Sequence, residues 1–287
     1  MKNRLLFSMI LLLTGLGSLK AQFSTGFLQR DDYWNDGKAE FNIYEAKMIR
    51  YGQAHDCQLI HIFVREPFDP QQLVKPDQWD KPGMISVLKL NQILHIPTGI
   101  YVYQQMHSNF WRLDDGALLK FTLTSNDSCG NTFKSWKRAG DHATYAWHTY
   151  WDGMADGEEK ADARPGMWFY DELPLRVRTI DFGKSKSGGF EIRLAPSVIK
   201  SKKDNIAFSR ANVSYEAGDE RIVVTVASTA GTDTFTLASK FPHLLREWKM
   251  ADGGELRLRR SLKIDYWNYH ALGDKERALS DPKLRNN

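Results

Sequence analysis

The chain has 287 residues, with 39 basic and 35 acidic side chains and only two cysteines. Removing Lys2, Arg4 and Lys20 with a leader takes the basic count to 36 against 35 acids, a charge of +1. That is too small for the counterion release that drives nucleic-acid binding, and two isolated cysteines exclude CxxC chemistry and a cysteine zinc cluster.

The first 21 residues read as a secretory signal peptide. Lys2 and Arg4 form a positive start, Leu5 to Leu16 an apolar run too short for a membrane anchor, and Leu19-Lys20-Ala21 a small-residue cleavage site. The mature protein is therefore expected to be exported, periplasmic or secreted, and soluble. The remaining 266 residues suffice for a substantial core. In an oxidising compartment Cys57 and Cys129 could close one disulfide, although two free thiols fit the spacing equally well.

An entry segment, 22–37, leads into a loosely alternating stretch, 38–50. After a turn at 52–56, Cys57 to Val64 is a dense apolar run of strand length. Pro67, Pro70, Pro76 and Pro82 exclude a long helix next. Strands are expected at 84–96 and 100–106. Trp111 to Phe121 then reads as a hairpin folding back at Asp115-Gly116, with Leu119, Phe121 and Leu123 sharing one face. Residues 125–130 are a turn cluster.

The aromatic stretch 142–151 precedes a polar loop, 152–166, the best candidate for an internal boundary between a first β-rich half, 22–151, and a second, 152–272. Strands are expected at 175–182, 190–194, 207–215, 221–227, 232–238, 244–250 and 256–264. The turns Gly188-Gly189, Gly218-Asp219 and Asp252-Gly253 have hairpin chemistry. Trp248 to Leu258 echoes the first hairpin in its spacing of Trp, base, Asp-Gly and Leu. Little helix is expected, and residues 273–287 form a polar tail expected to fray. The fold class is all-β: an antiparallel, barrel-like or strongly curved sheet.

The sequence carries no nucleophile elbow, P-loop, zinc-protease helix or dinucleotide fingerprint. His142 and His148 would share a strand face near Asp152, but lie roughly 20 Å apart at 3.3 Å per residue, too far for one metal. Asp171-Glu172 and Glu158-Glu159 are adjacent pairs whose members point to opposite strand faces, so neither is itself a glycosidase pair. Neither a cofactor nor a metal is expected. The aromatic residues are more informative. Trp136, Tyr145, Trp147, Trp151 and Trp168 fall within 33 residues. Such rings fit the ordinary core of a β domain that closes on itself, or, on a hollow sheet, the lining of a site for a lipid or glycan. The leading expectation is non-catalytic binding of an apolar or glycan ligand. The alternatives are a cell-envelope glycan hydrolase and an interaction module for an envelope protein.

A set of short motifs adds a resemblance. Trp34 with Asp36-Gly-Lys-Ala-Glu40, Arg50-Tyr-Gly52, Val64-Arg-Glu-Pro-Phe68, Lys89-Leu-Asn91, Thr98-Gly-Ile-Tyr101 and Cys129-Gly130 carry most of it. Pro242-His243, Trp248, Asp252-Gly253 and Tyr266-Trp267 belong with them. In these the chain resembles a family of exported bacterial proteins often labelled "septum formation inhibitor Maf". The chain departs from the family's pattern at Asn126-Asp-Ser128, where a Glu-Trp pair is expected. The resemblance implies export and no specific chemistry. It does not imply the nucleotide pyrophosphatase activity of that label, because the chain has β patterning and lacks that enzyme's basic, Ser-rich phosphate loop.

Overall fold

The computed structural model describes residues 24–199 and 206–286, so the expected signal peptide lies outside the described residues. Strand-length runs and hairpin turns dominate the first half, as the sequence leads one to expect. Its strands are β1 (Ala39–Arg50), β2 (Gln53–Phe68), β3 (Ile85–Thr98) and β4 (Tyr101–Arg112). They continue with β5 (Leu118–Asp127), β6 (Gly130–Ala139), β7 (His142–Thr149) and β8 (Asp156–Asp162). The second half supplies β9 (Met167–Phe169), β10 (Ser187–Ala195), β11 (Ser209–Ala217) and β12 (Arg221–Ser228). It ends with β13 (Gly231–Ala238), β14 (Leu245–Lys249) and β15 (Glu255–Ile264).

All of these join one 15-stranded sheet, ordered β8-β7-β6-β5-β4-β3-β2-β1-β15-β14-β13-β12-β11-β10-β9. The two halves meet where β1 pairs with β15, Ala39 opposite Ile264. Pairing is antiparallel except between β9 and β10. Helix is confined to short pieces: α1 (Thr25–Leu28), α2 (Asp31–Trp34), α3 (Leu173–Arg176) and α4 (Asp274–Ser280). Among the described residues no helix is long and apolar enough to cross a membrane.

Alternation sets the faces. On β1, Tyr44, Ala46 and Met48 point to one side, and across the ladder Leu59 and Phe63 of β2 and Leu90 and Leu94 of β3 join them. This inner face carries the main core, which runs on through Phe121 and Trp136 to Val224 and Phe235 of the second half. Laid against it is the segment from Tyr170 to Ile180, in which Leu173, Leu175 and Val177 are fully buried. A smaller outer cluster holds Phe68, Leu73, Val87 and Leu119.

Five expectations need correction. The sheet does not close into a barrel: among the described residues no ladder joins β8 to β9, which form its two edges. Their composition suits edges, β8 being exposed and acidic around Glu158 and Glu159 and β9 only three residues long. The expected strand at 175–182 is instead α3 flanked by 3₁₀ turns. Its Leu-x-Leu-x-Val spacing mimics a strand because the segment is buried on several sides, and Pro174 opens the helical turn. The polar loop at 152–166 contains β8, and the polar tail is docked rather than frayed. Asn286 reaches Tyr33 Oη at 2.6 Å and Ser261 Oγ at 3.1 Å, and Leu262 bridges Arg285. Finally, a register shift at Phe110/Trp111 separates Leu119 from Phe121 and Leu123, turning it into the outer cluster.

The two echoed hairpins adopt matching geometry. Gly116 and Gly253 sit at φ +69° and +90°. Asp115 and Asp252 each accept a hydrogen bond from the backbone two residues on, at 2.9 and 3.0 Å. Both tryptophans are buried and donate to a buried carboxylate, Trp111 to Glu172 at 2.7 Å and Trp248 to Asp233 at 2.9 Å.

Candidate functional site

Of the five aromatic residues expected to line a site, three belong to the core. Trp136 stacks on Phe121 at 6.2 Å and meets Phe169 edge-on at 5.7 Å. Tyr145 is fully buried beside Trp147. Trp168 is buried edge-on to Phe190, with the Arg176 guanidinium 5.6 Å from its ring. Trp147 is half-buried; its indole donates to the Met154 carbonyl at 2.8 Å and covers Gly157, where any Cβ would collide with the ring. Trp151 lines a cavity of about 380 Å³.

That cavity lies on the inner face of β4, β5 and β6, where Gln105, Ser125 and Thr132 are cross-strand neighbours and form its floor. Tyr51, Tyr103 and Trp151 contribute rings, and Arg50, Asp127 and Lys134 contribute charge. Tyr51 is the unusual member. Arg50 pairs with Gln53, so Tyr51-Gly52 is a two-residue turn with φ of +52° and +72°. Such a turn favours Asn, Asp or Gly at its first position, and a bulky ring there is strained. The Tyr51 hydroxyl meets those of Tyr101 and Tyr103, each at 2.7 Å, and the bond to Tyr101, followed by that to Tyr103, raises its phenol above the usual range. Arg50 extends to Gln105 at 3.0 Å, and Gln105 donates to Ser125 and to the Ile199 carbonyl. Aromatic faces, hydroxyls and amides thus converge on one space.

A larger cavity, about 570 Å³, opens near α1 between Phe27, Phe241 and His243, with Arg178 in its wall. Its charged groups are largely engaged. Arg178 is fully buried, forks onto Glu40 at 2.7 and 2.8 Å, and donates to the Pro242 carbonyl. Arg30 pairs with Asp32, and Asp181 with Lys184.

The sequence reading missed a buried polar row. Asn42, His61, Gln92 and His107 lie directly opposite one another on β1 to β4, and the row continues through Leu123 to Lys134. All four polar residues are buried, three of them fully. Burial first, then Arg178, pushes His61 down to about 3; burial first, then Lys134, does the same to His107. Both imidazoles are therefore neutral near pH 7. The available signal was the alternation itself, since Asn42, His61 and His107 occupy positions where apolar residues belong.

The remaining candidates have structural partners. Asp171 accepts from Ser197 Oγ and the Val198 amide, and Glu172 from Trp111, Arg176 and the Phe169 amide. Glu158 and Glu159 are exposed on the edge strand β8. His148 pairs with Asp156 at 3.2 Å, and no group of three metal-ligating side chains occurs among the described residues. Cys57 and Cys129 are not bonded to each other; burial pushes the half-buried Cys57 thiol up to about 11. No family model, curated protein or solved structure matches the chain.

Proposed function

We propose that this is an exported, non-catalytic envelope protein that binds a glycan in the cavity beside Tyr51 and Trp151. The observation carrying this reading is Tyr51 itself, a ring held in a left-handed turn conformation that favours Asn or Gly, at the wall of a cavity shared with Trp151. Rings supply faces for the apolar side of a pyranose, while Arg50, Gln105 and Ser125 supply hydrogen-bonding partners for its hydroxyls. An acyl chain suits this lining less well, because desolvating so many polar groups without pairing them is costly. Part of this proposal is that the sheet bends its inner face into a hollow. Only residues 163–166 separate β8 from β9, a span of at most about 18 Å, and Phe121 and Trp136 of one arm touch Phe169 of the other. The N-terminal segment and the family resemblance support export. The hydrolase alternative has less support, because among the described residues the cavity wall includes one carboxylate, Asp127, and it accepts from the Cys129 and Gly130 amides.

The test uses Tyr51→Asn, which supplies the residue the turn favours while removing the ring. Calorimetric titration of the mature protein with pyranose oligosaccharides should show binding that weakens at least about tenfold in this variant, at an unchanged or higher melting temperature. Trp151→Ala should weaken it similarly. The proposal fails if no such oligosaccharide binds the wild type, or if Tyr51→Asn binds equally well.

A further inference from the structure

The polar row across β1 to β4 contains atoms that the protein does not satisfy. Asn42 Oδ1, Tyr44 Oη, both ring nitrogens of His61, His107 Nε2 and Asn109 Oδ1 are buried and have no protein hydrogen-bond partner. Asn42 and Gln92 lie near enough to influence the titration of Tyr44 and His61, yet hydrogen-bond geometry is not reached. Buried polar atoms are nearly always paired, and six orphans on one patch of inner face require a ligand.

The chemistry narrows that ligand. His107 Nδ1 faces the Gln92 and Asn109 amide nitrogens at 3.3 and 3.0 Å, so it accepts and its proton resides on Nε2, leaving a donor unpaired. The two Oδ1 atoms accept only. A neutral His61 offers one donor and one acceptor, and Tyr44 can do either. The set therefore suits a small neutral molecule that both donates and accepts. A metal is disfavoured, because the nearest carboxylate, Glu40, is already engaged by Arg178, Tyr33 and Asn42. The row also has two ends. Lys134, beyond His107, lines the smaller cavity, and Arg178, on Glu40 beside Asn42, lines the larger.

We propose that this row binds a file of ordered water molecules within the core along β1 to β4. At two to four hydrogen bonds per molecule, the six atoms call for about two or three waters. Such a file satisfies the orphaned atoms without breaking the packing of Leu59, Phe63 and Leu94 around them.

Two measurements on the mature protein decide it. In the wild type, nuclear Overhauser transfer from water to the His61 and His107 ring protons should be direct, and oxygen-17 relaxation dispersion should detect slowly exchanging internal water. In Asn42→Leu/His61→Leu, checked by circular dichroism, the dispersion amplitude should fall by about two waters. Absence of water contacts at both rings in the wild type overturns the proposal whether or not the variant folds. An unchanged amplitude in a folded variant also overturns it. Neither readout depends on glycan binding.

Discussion

Two imidazoles in the interior, on His61 and His107, couple the protein's stability to pH. Both are pushed down to about 3, mainly by burial, whereas an imidazole in the unfolded chain titrates near 6.5. Below pH 6.5 the unfolded chain takes up protons that the folded core refuses. The stabilisation is therefore complete above pH 6.5 and is lost as pH falls toward 3, by about 1.4 kcal/mol per pH unit for each histidine. Urea unfolding between pH 6 and 4.5, above most carboxylate titrations, should show this slope. His61→Phe should reduce it by about half. A wild type equally stable across that window would mean the rings are protonated in the folded state.

At the scale of elements, the hairpins show what could be read in advance. Asp115-Gly116 and Asp252-Gly253 announce their turns because only a few residues accept a left-handed backbone there. A Cβ at Gly253 would meet nothing within 4 Å, so Gly253→Ala isolates the backbone term. It should destabilise by about 1 kcal/mol, seen as a lower urea midpoint at an unchanged slope. No loss would show that the turn relaxes freely. The partners of Trp111 and Trp248 could not be read, because Glu172 arrives from 61 residues away and Asp233 from a neighbouring strand. The same limit explains the misread segment around α3. Alternation reports which residues avoid water, and Leu173, Leu175 and Val177 avoid it from a helical turn as well as they would from a strand. The aromatic cluster was legible as a group, while its division between core and cavity depended on sheet geometry that spacing does not encode. Tyr51 carried the clearest local signal, an aromatic residue before Gly in a two-residue turn.

Across the whole molecule, distant parts of the chain converge on Glu40. It lies on β1, next to the β1–β15 seam between the halves, and receives Arg178 from the central segment. Tyr33 reaches it from α2 at 2.8 Å, and Asn286 at the C-terminal end holds Tyr33. Arg178 also binds the Pro242 carbonyl, between β13 and β14. Both charges are fully buried, so their attraction mostly offsets desolvation and the pair as a whole adds little net stability. Losing one member is different. Arg178→Met leaves a buried carboxylate whose main counter-charge is gone and should cost about 3–5 kcal/mol in denaturant unfolding. Glu40→Leu should cost a similar amount by stranding Arg178. Arg178→Met with Glu40→Leu should recover most of either loss, because no buried charge is left unpaired. If the two single losses simply add in the double variant, the pair is not the junction through which the central segment is held to the seam.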